Sequence, residues 1–331
     1  MLSVSGRIAG CDVRAPEGIR ETMSEVRKVV VTGPSGVIGT ATVGLLREHG
    51  YDVVAATSSN VDLRDQAAVT EYFDHHSPDA VIHLAGRVHG LMGNVRAQGD
   101  MFHQNILINT HTIEAARRSG VRKFVAMGSV AMYPDGVPLP MRETDVWSGA
   151  PHASEAGYAH AKRAMLAQLE SYHDQEGLDY AVAISTNLFG PDDRFDEVRG
   201  HVVPSLVSKF HRGVTEGVPV TVWGTGTATR DFLFSADAAA ALEVMLRSGT
   251  GAYNLASGTP ISIRDAVDVI AEVVDYRGEI DWDRSKPDGQ PERAYDITKL
   301  AALGWSPQWS FRDAIADTYA WYARHHDSVR R

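Results

Sequence analysis

The stretch Lys28–Gly50, KVVVTGPSGVIGTATVGLLREHG, leaves a chain few ways to fold. Three consecutive valines favour an extended, fully buried strand, and the glycines at 33, 36 and 39 break it into a tight turn. The residues from Val37 then read as a helix that stops at Gly50, and YDVVAAT follows as a second strand. Strand, glycine-rich turn, helix and strand make a βαβ unit. Gly33 permits the turn, Gly36 lets a diphosphate approach the backbone, and Gly39 allows close helix–sheet packing. The helix N-terminus aims amide donors and the positive end of its dipole at the same point. Ser35, Gly36, Val37, Ile38 and Gly39, with Gly33, are therefore candidate dinucleotide contacts.

The rhythm continues through DAVIHLAG, VRKFVAMGS and LDYAVAIST, separated by helical stretches such as MFHQNILINTHTIEAARRSG and YAHAKRAMLAQLESYHDQEG. Such alternation predicts an α/β fold, a doubly wound parallel Rossmann sheet with a smaller, partly discontinuous C-terminal substrate domain. Residues 1–26 lack periodicity and read as a flexible N-terminal extension. Residues 27–187 read as the dinucleotide domain, with a return strand near 251–257, and 188–331 as the substrate domain.

With 331 residues and 44% hydrophobic content, the chain can bury a large core without disulfides or metals. No apolar run approaches the ~20 residues that span a bilayer, and the N-terminus lacks a secretion signal, so no membrane role and a cytoplasmic location are expected. Cys11 is the one cysteine, which leaves no internal disulfide and no thiolate metal site, and no metal is expected. The net charge of −10 argues against a nucleic-acid partner.

Chemistry enters with Ser129 in FVAMGSVAMYP and with Tyr158 and Lys162 in GYAHAKRAM. Tyrosine and lysine four residues apart on a helix share a face, so the ammonium is expected to favour phenolate and lower a pKa normally near ~10. Hydride attack on a ketone leaves charge on oxygen, which Tyr158 would protonate while the Ser129 hydroxyl holds that oxygen. Taken singly, a Tyr–Lys pair or a serine after a strand is commonplace, but their order behind a glycine-rich turn points to a carbonyl-reducing enzyme.

Choice of cofactor is read at the end of the second strand, where an acid would favour NAD. Ala56, Thr57, Ser58 and Ser59 stand there, with Asn60 and Arg64 nearby, which favours NADP. Asp62, next to Leu63 in VDLRD, either accepts from the adenine amino group or belongs to a helix N-cap region.

From about Lys28 to His326 the chain resembles the GDP-L-fucose synthases, the GDP-4-keto-6-deoxymannose epimerase/reductases of the extended short-chain dehydrogenases. VTGPSGVIG, VIHLAGRVHGLMGN, QNILIN, GSVAMYP, GYAHAK, TNLFGPDDRF, GHVVP, VWGTGTATRDF and SKPDGQPERAYDITKL carry the likeness. The resemblance implies NADPH, a nucleotide-diphosphate 4-keto sugar substrate, and a homodimer formed through helices beginning near Phe102 and Ala156. It implies cofactor contacts at Leu84, Ala85, Gly86 and Asn105, besides Tyr158 and Lys162. It further implies substrate contacts at Ser129, Asn187, Lys209, Trp223, Arg230 and Lys286, and an acid/base histidine at His201. Lys209 stands where many relatives have arginine, and Asp192 where histidine is common.

The informative departure is Ala131, where the family has an acid/base cysteine. Epimerisation at both carbons beside a 4-keto group needs proton removal and return, work that the family divides between that cysteine and the histidine. Alanine cannot titrate. The expected activity is therefore NADPH-dependent 4-ketoreduction of a nucleotide-linked 4-keto-6-deoxyhexose without double epimerisation. The alternatives are a bifunctional or single-centre epimerase/reductase using His201, with His89 as a speculative partner, or an NAD-retaining epimerase or dehydratase. The base, GDP or TDP, stays open.

Overall fold

The computed structural model describes residues 26–88, 96–197, 200–286 and 288–329. His89 and Cys11 lie outside the described residues, as does all of the N-terminal stretch before Val26. The valine-rich run forms β1 (Lys28–Thr32), followed by α1 (Val37–Glu48), β2 (Asp52–Ala56), α2 (Gln66–His76) and β3 (Ala80–His83). Next come α3 (Gln98–Arg118), β4 (Lys123–Met127), α4 (Ala156–Glu176) and β5 (Asp179–Ser185). The strand Gly251–Leu255 joins them in a six-stranded sheet, at the edge beside β5. Across the sheet the order is Gly251–Leu255, β5, β4, β3, β1, β2, and every pairing is parallel.

Parallel strands covered on both faces read as continuous apolar runs, but side chains still alternate. Val30, Val81, Phe124 and Val182 face one way, onto Phe73, Ile113, Leu166 and Leu169 of α2, α3 and α4. Val29, Val31, Ile82 and Val125 face the other, onto Leu46 of α1 and onto Leu242 and Met245 of the helix Ser235–Ser248. Two cores thus clamp the sheet, and each fully buried Val, Leu or Phe contributes about 1.5–3 kcal/mol of transfer free energy. The chain leaves β1 toward β2 and then returns past β1 to β3, so a crevice opens at the C-terminal ends of β1 and β3.

A third core, around Phe189, Phe195, Phe210, Ile270 and Ile315, belongs to the C-terminal half. Three two-stranded pieces surround it, pairing Asn187–Phe189 with Phe232–Phe234, Val220–Trp223 with Ile280–Asp283, and Thr229–Arg230 with Ile261–Ser262. The segment 288–296 lies between the halves. Thr229 N donates to Pro291 O (2.9 Å) on one side, and Met141 N to Ala294 O (2.9 Å) on the other. The helix α5 (Val202–Glu216) begins immediately after His201, three residues earlier than the helical pattern from Ser205 suggests. Pro204 in its first turn costs nothing there, because the N–H that proline lacks would have no helical partner.

Candidate active site

The start of α4 is held against α3 by a missing side chain. A Cβ on Gly157 would sit 2.1 Å from the Gln98 carbonyl oxygen, and the Gly157 N–H donates to Gln98 Oε1 (2.7 Å). This close approach brings the next residue, Tyr158, over the end of β4. The Ser129 side chain stands near enough to the Tyr158 phenol to lower its pKa, and Lys162 Nζ lies 5.9 Å from the Tyr158 ring centroid. Lys162 is buried and donates to Met127 O (2.7 Å), the carbonyl two residues before Ser129. Ser129 caps the short helix Val130–Met132, its Oγ accepting from Ala131 N (3.2 Å).

The expected lowering of the Tyr158 pKa is not found. Burial pushes the phenol up to about 12, the Ser129 hydroxyl opposing and the charge of Glu155 adding to the rise. Burial also brings Lys162 down to about 8. The helical spacing that predicts a Tyr–Lys pair carries no information about desolvation, and desolvation is the larger effect here. A phenol at about 12 keeps its proton at neutral pH, which suits a donor to an alkoxide, a far stronger base. Ala131 joins Met101, Tyr158 and Ala159 in a small apolar cluster, so the position at which the resemblance calls for a cysteine is apolar here.

Behind the pair runs a buried chain of bonds that sequence reasoning missed. Ala85 N donates to Thr32 Oγ1 (3.1 Å), which lies 2.8 Å from His83 Nδ1; His83 Nε2 lies 3.1 Å from Asn109 Oδ1, and Asn109 Nδ2 donates to Ala161 O (3.3 Å). Because Asn109 presents its oxygen, His83 carries its proton on Nε2 and accepts from Thr32 at Nδ1. Burial, helped by the charge of Lys162, holds the imidazole down at about 3, so it is neutral. The one available signal was a histidine ending an otherwise apolar strand, AVIH.

Around the glycine-rich turn, Gly33 adopts a left-handed φ of +67° and packs so tightly that a Cβ would lie 2.9 Å from Ala85 N. Gly36 is different, since a Cβ there would meet nothing nearer than Gly33 O at 3.7 Å. Ser35 is exposed and Val37 opens α1, whereas the Ile38 side chain enters the core and Gly39 abuts the Gly33 carbonyl. Leu84 packs partly on the same core, and Gly86 lies beside Asn105 Oδ1 and Lys162 Nζ. Asn105 holds this turn by accepting from Arg87 N (2.9 Å) and donating to Arg87 O (3.0 Å).

At the end of β2, Ser58 and Ser59 are exposed, with Thr57 Oγ1 2.8 Å from Ser59 Oγ, and Asn60 locks the turn through Thr57 N and Ala55 O. Asp62 pairs with Arg64 at 2.7 Å, which holds its carboxyl down at about 2; the N-cap of α2 is Asp65. Leu63 packs partly on the core.

In the C-terminal half, Trp223 is half exposed with two ammoniums over it, Lys209 Nζ and Lys286 Nζ, each 5.6 Å from the ring centroid, and the surface around it is referred to as the cleft. Lys209 also donates to Thr221 O (3.0 Å), and burial lowers its pKa. Arg230 donates to Thr229 O and Gln290 O (2.7 Å each), so its guanidinium is braced by the 288–296 segment. Asn187 Nδ2 donates to Asp231 O (3.0 Å). His201, exposed at the N-cap of α5, makes no capping bond with its side chain, and Asp192 has a left-handed φ of 63°. Gln290 Nε2 reaches back to Asp135 Oδ1 (2.7 Å), tying this cleft to the turn beyond Ser129. Among the described residues no group of His, Cys, Asp and Glu could hold a metal ion.

Comparison with known proteins places this geometry. Residues 29–256 match the NAD dependent epimerase/dehydratase family. The chain is 36% identical over 301 residues to GDP-L-fucose synthase 1 of Arabidopsis thaliana, covering 90% of this chain and 93% of that one. It superposes on a GDP-L-fucose synthetase from Naegleria fowleri bound to NADP with a TM-score of 0.85 at 27% identity, covering 92% and 96% of the two chains. A GDP-6-OMe-4-keto-L-xylo-heptose reductase from C. jejuni gives a TM-score of 0.85 at 26% identity, covering 92% and 99%.

Proposed function

Because the chain belongs to the NAD dependent epimerase/dehydratase family and groups there with the GDP-L-fucose synthases, we propose that it is an NADPH-dependent 4-ketoreductase of a GDP-linked 4-keto-6-deoxyhexose that does not epimerise both flanking carbons. One observation carries the reading. Ser129, Tyr158 and Lys162 are gathered as a reductase needs them, while the residue packed beside the phenol is Ala131.

The crevice fits a dinucleotide. The open face at Gly36 leaves room for a phosphate against the first amides of α1, and the end of β2 offers hydroxyls rather than a carboxylate to a 2′-phosphate. NADPH supplies the hydride that reduces the ketone. Tyr158 then donates its proton to the ketone oxygen, Ser129 holds that oxygen by a hydrogen bond, and Lys162 stabilises the phenolate left behind. Lys209, Lys286 and Arg230 offer cations for the diphosphate, and Trp223 offers an aromatic face to base or sugar. Two copies of the chain are proposed to pair through α3 and α4, where Phe102 is exposed.

The test is incubation with NADPH and GDP-4-keto-6-deoxymannose in deuterated water, with the product read by NMR. Reduction without solvent deuterium at carbons 3 and 5 is expected, and deuterium at both would refute it. Deuterium at one carbon would favour a second reading, a single-centre epimerase/reductase, for which the exposed imidazole of His201 speaks. Purified protein that retains NAD and consumes no NADPH would point instead to an epimerase or dehydratase.

A further inference from the structure

Two consecutive residues of α4 donate to main-chain carbonyls on either side of Ser129. Lys162 Nζ takes Met127 O (2.7 Å) and Arg163 Nε takes Met132 O (2.8 Å). Arg163 Nη1 also donates to Gly149 O (2.7 Å), in the loop that leads into α4, and the guanidinium carbon lies 5.9 Å from the Trp147 ring centroid. Arg163 is only 7% exposed, and its remaining nitrogen, Nη2, is buried without a hydrogen-bond partner. Burial lowers its pKa, and no nearby carboxylate offsets the effect. A buried cation satisfied only by carbonyls costs stability relative to an apolar side chain of like size, so its place calls for a use.

The bonds show what that use is. Residues 130–133 have other anchors, since Tyr133 OH donates to Asn254 Oδ1 (2.6 Å) and Arg293 Nη1 to Val130 O (3.4 Å), but these lead to the edge strand and to the 288–296 segment. Among the described residues, the side-chain bond from α4 to the backbone of this turn is that of Arg163. Resting on the ketoreductase reading, we propose that Arg163 is a positioning residue: by tying the turn after Ser129 to the helix that carries Tyr158, it sets the spacing between hydroxyl and phenol on which proton delivery to the ketone oxygen depends.

Arg163→Met keeps the apolar stem and removes the donors, while the anchors through Tyr133 and Arg293 still hold the turn in the fold. The measurements are kcat, the primary isotope effect with NADPH deuterated at the transferred hydrogen, and the Kd of NADPH by fluorescence. A drop in kcat of about 30-fold is expected, because ångström-scale misplacement costs up to ~100-fold, with a larger isotope effect and an NADPH Kd within about two-fold. Arg163→Lys, able to reach one carbonyl, should recover part of the rate. An unchanged kcat and isotope effect in folded Arg163→Met would overturn the assignment, as would kcat and NADPH affinity falling in parallel. If Arg163→Met does not fold, an unaltered kcat and isotope effect in Arg163→Lys overturns it equally. Wild-type protein that leaves NADPH unoxidised sinks the ketoreductase reading and this assignment with it, whereas active wild type with unaltered variants sinks the assignment alone.

Discussion

The corner around Tyr158 and the cleft around Trp223 are built on opposite plans. In the corner Tyr158, Lys162 and His83 sit on a helix and a strand end and are buried, with polar atoms already bonded: Ser129 to Ala131 N, Lys162 to Met127 O, His83 to Thr32 and Asn109. In the cleft Trp223 and His201 are open to solvent, and the cations Lys209 and Arg230 rest on main-chain carbonyls of short strands and loops. A group that must meet a reacting atom gains from being fixed before substrate arrives. A group that must grip a large, charged ligand gains from being able to exchange a weak carbonyl bond for a phosphate. Damage to the corner should therefore appear in kcat, and damage to the cleft in KM.

The largest effect tests the corner. Tyr158→Phe removes only the proton donor, and kcat should fall by about 10³-fold while NADPH still binds, as shown by steady-state rates beside a fluorescence titration. Loss of binding in place of rate would erase the contrast between the two regions. The pH profile sharpens the same point. With Tyr158 near 12 and Lys162 near 8, the group that changes charge in the working range is the lysine. Lys162 is cationic below its pKa, so the rate should decline as pH rises through about 8. Lys162→Arg, which stays charged, should move that decline upward by more than about one pH unit. A decline at the same pH in the variant would mean that another group controls it.

How much of this was legible in the sequence follows the reach of each signal. The alternation of strands and helices, the glycine turn and the Tyr–Lys spacing are local patterns, and the sheet with its crevice came from them. The sign of the Tyr158 shift was not legible, because burial by α3 and the Ala131 cluster depends on residues distant in sequence. Arg163 reads in the sequence as one more basic residue on a helix, and only the fold reveals that its acceptors are carbonyls of residues 132 and 149. In the sequence His83 lies unremarked inside the strand DAVIHLAG, and its partners come from residues 32 and 109. Local order names residues, whereas long-range packing sets their charge states and partners.

On the cleft side, Trp223→Ala removes the face that carries two ammoniums. Each cation–π contact at an exposed site is worth about 0.5–1 kcal/mol, and stacking of a base or sugar adds to this. The KM for the sugar nucleotide should rise about ten-fold with kcat changed less than about two-fold. A matching fall in kcat would show that the cleft also aligns the ketone, and the division of labour between the regions would have to be redrawn.

The smallest expected effect concerns what holds the corner together. His83 is held at about 3 in the folded protein, against 6.5 for an ordinary imidazole. Between those values the unfolded chain binds a proton there and the folded chain does not, so folding stability must fall as pH drops through this window and be fully present above about 6.5. His83→Gln retains hydrogen-bonding groups but cannot titrate, and its Tm should fall less steeply than that of the wild type between pH 7 and pH 5, even if it starts lower. Calorimetry at matched ionic strength measures the difference in slope, and the other histidines cancel because both proteins carry them. Parallel slopes would mean that the imidazole is protonated or hydrated in the folded state. The bonded chain from Ala85 to Ala161 would then not be the rigid backing that sets the corner apart from the cleft.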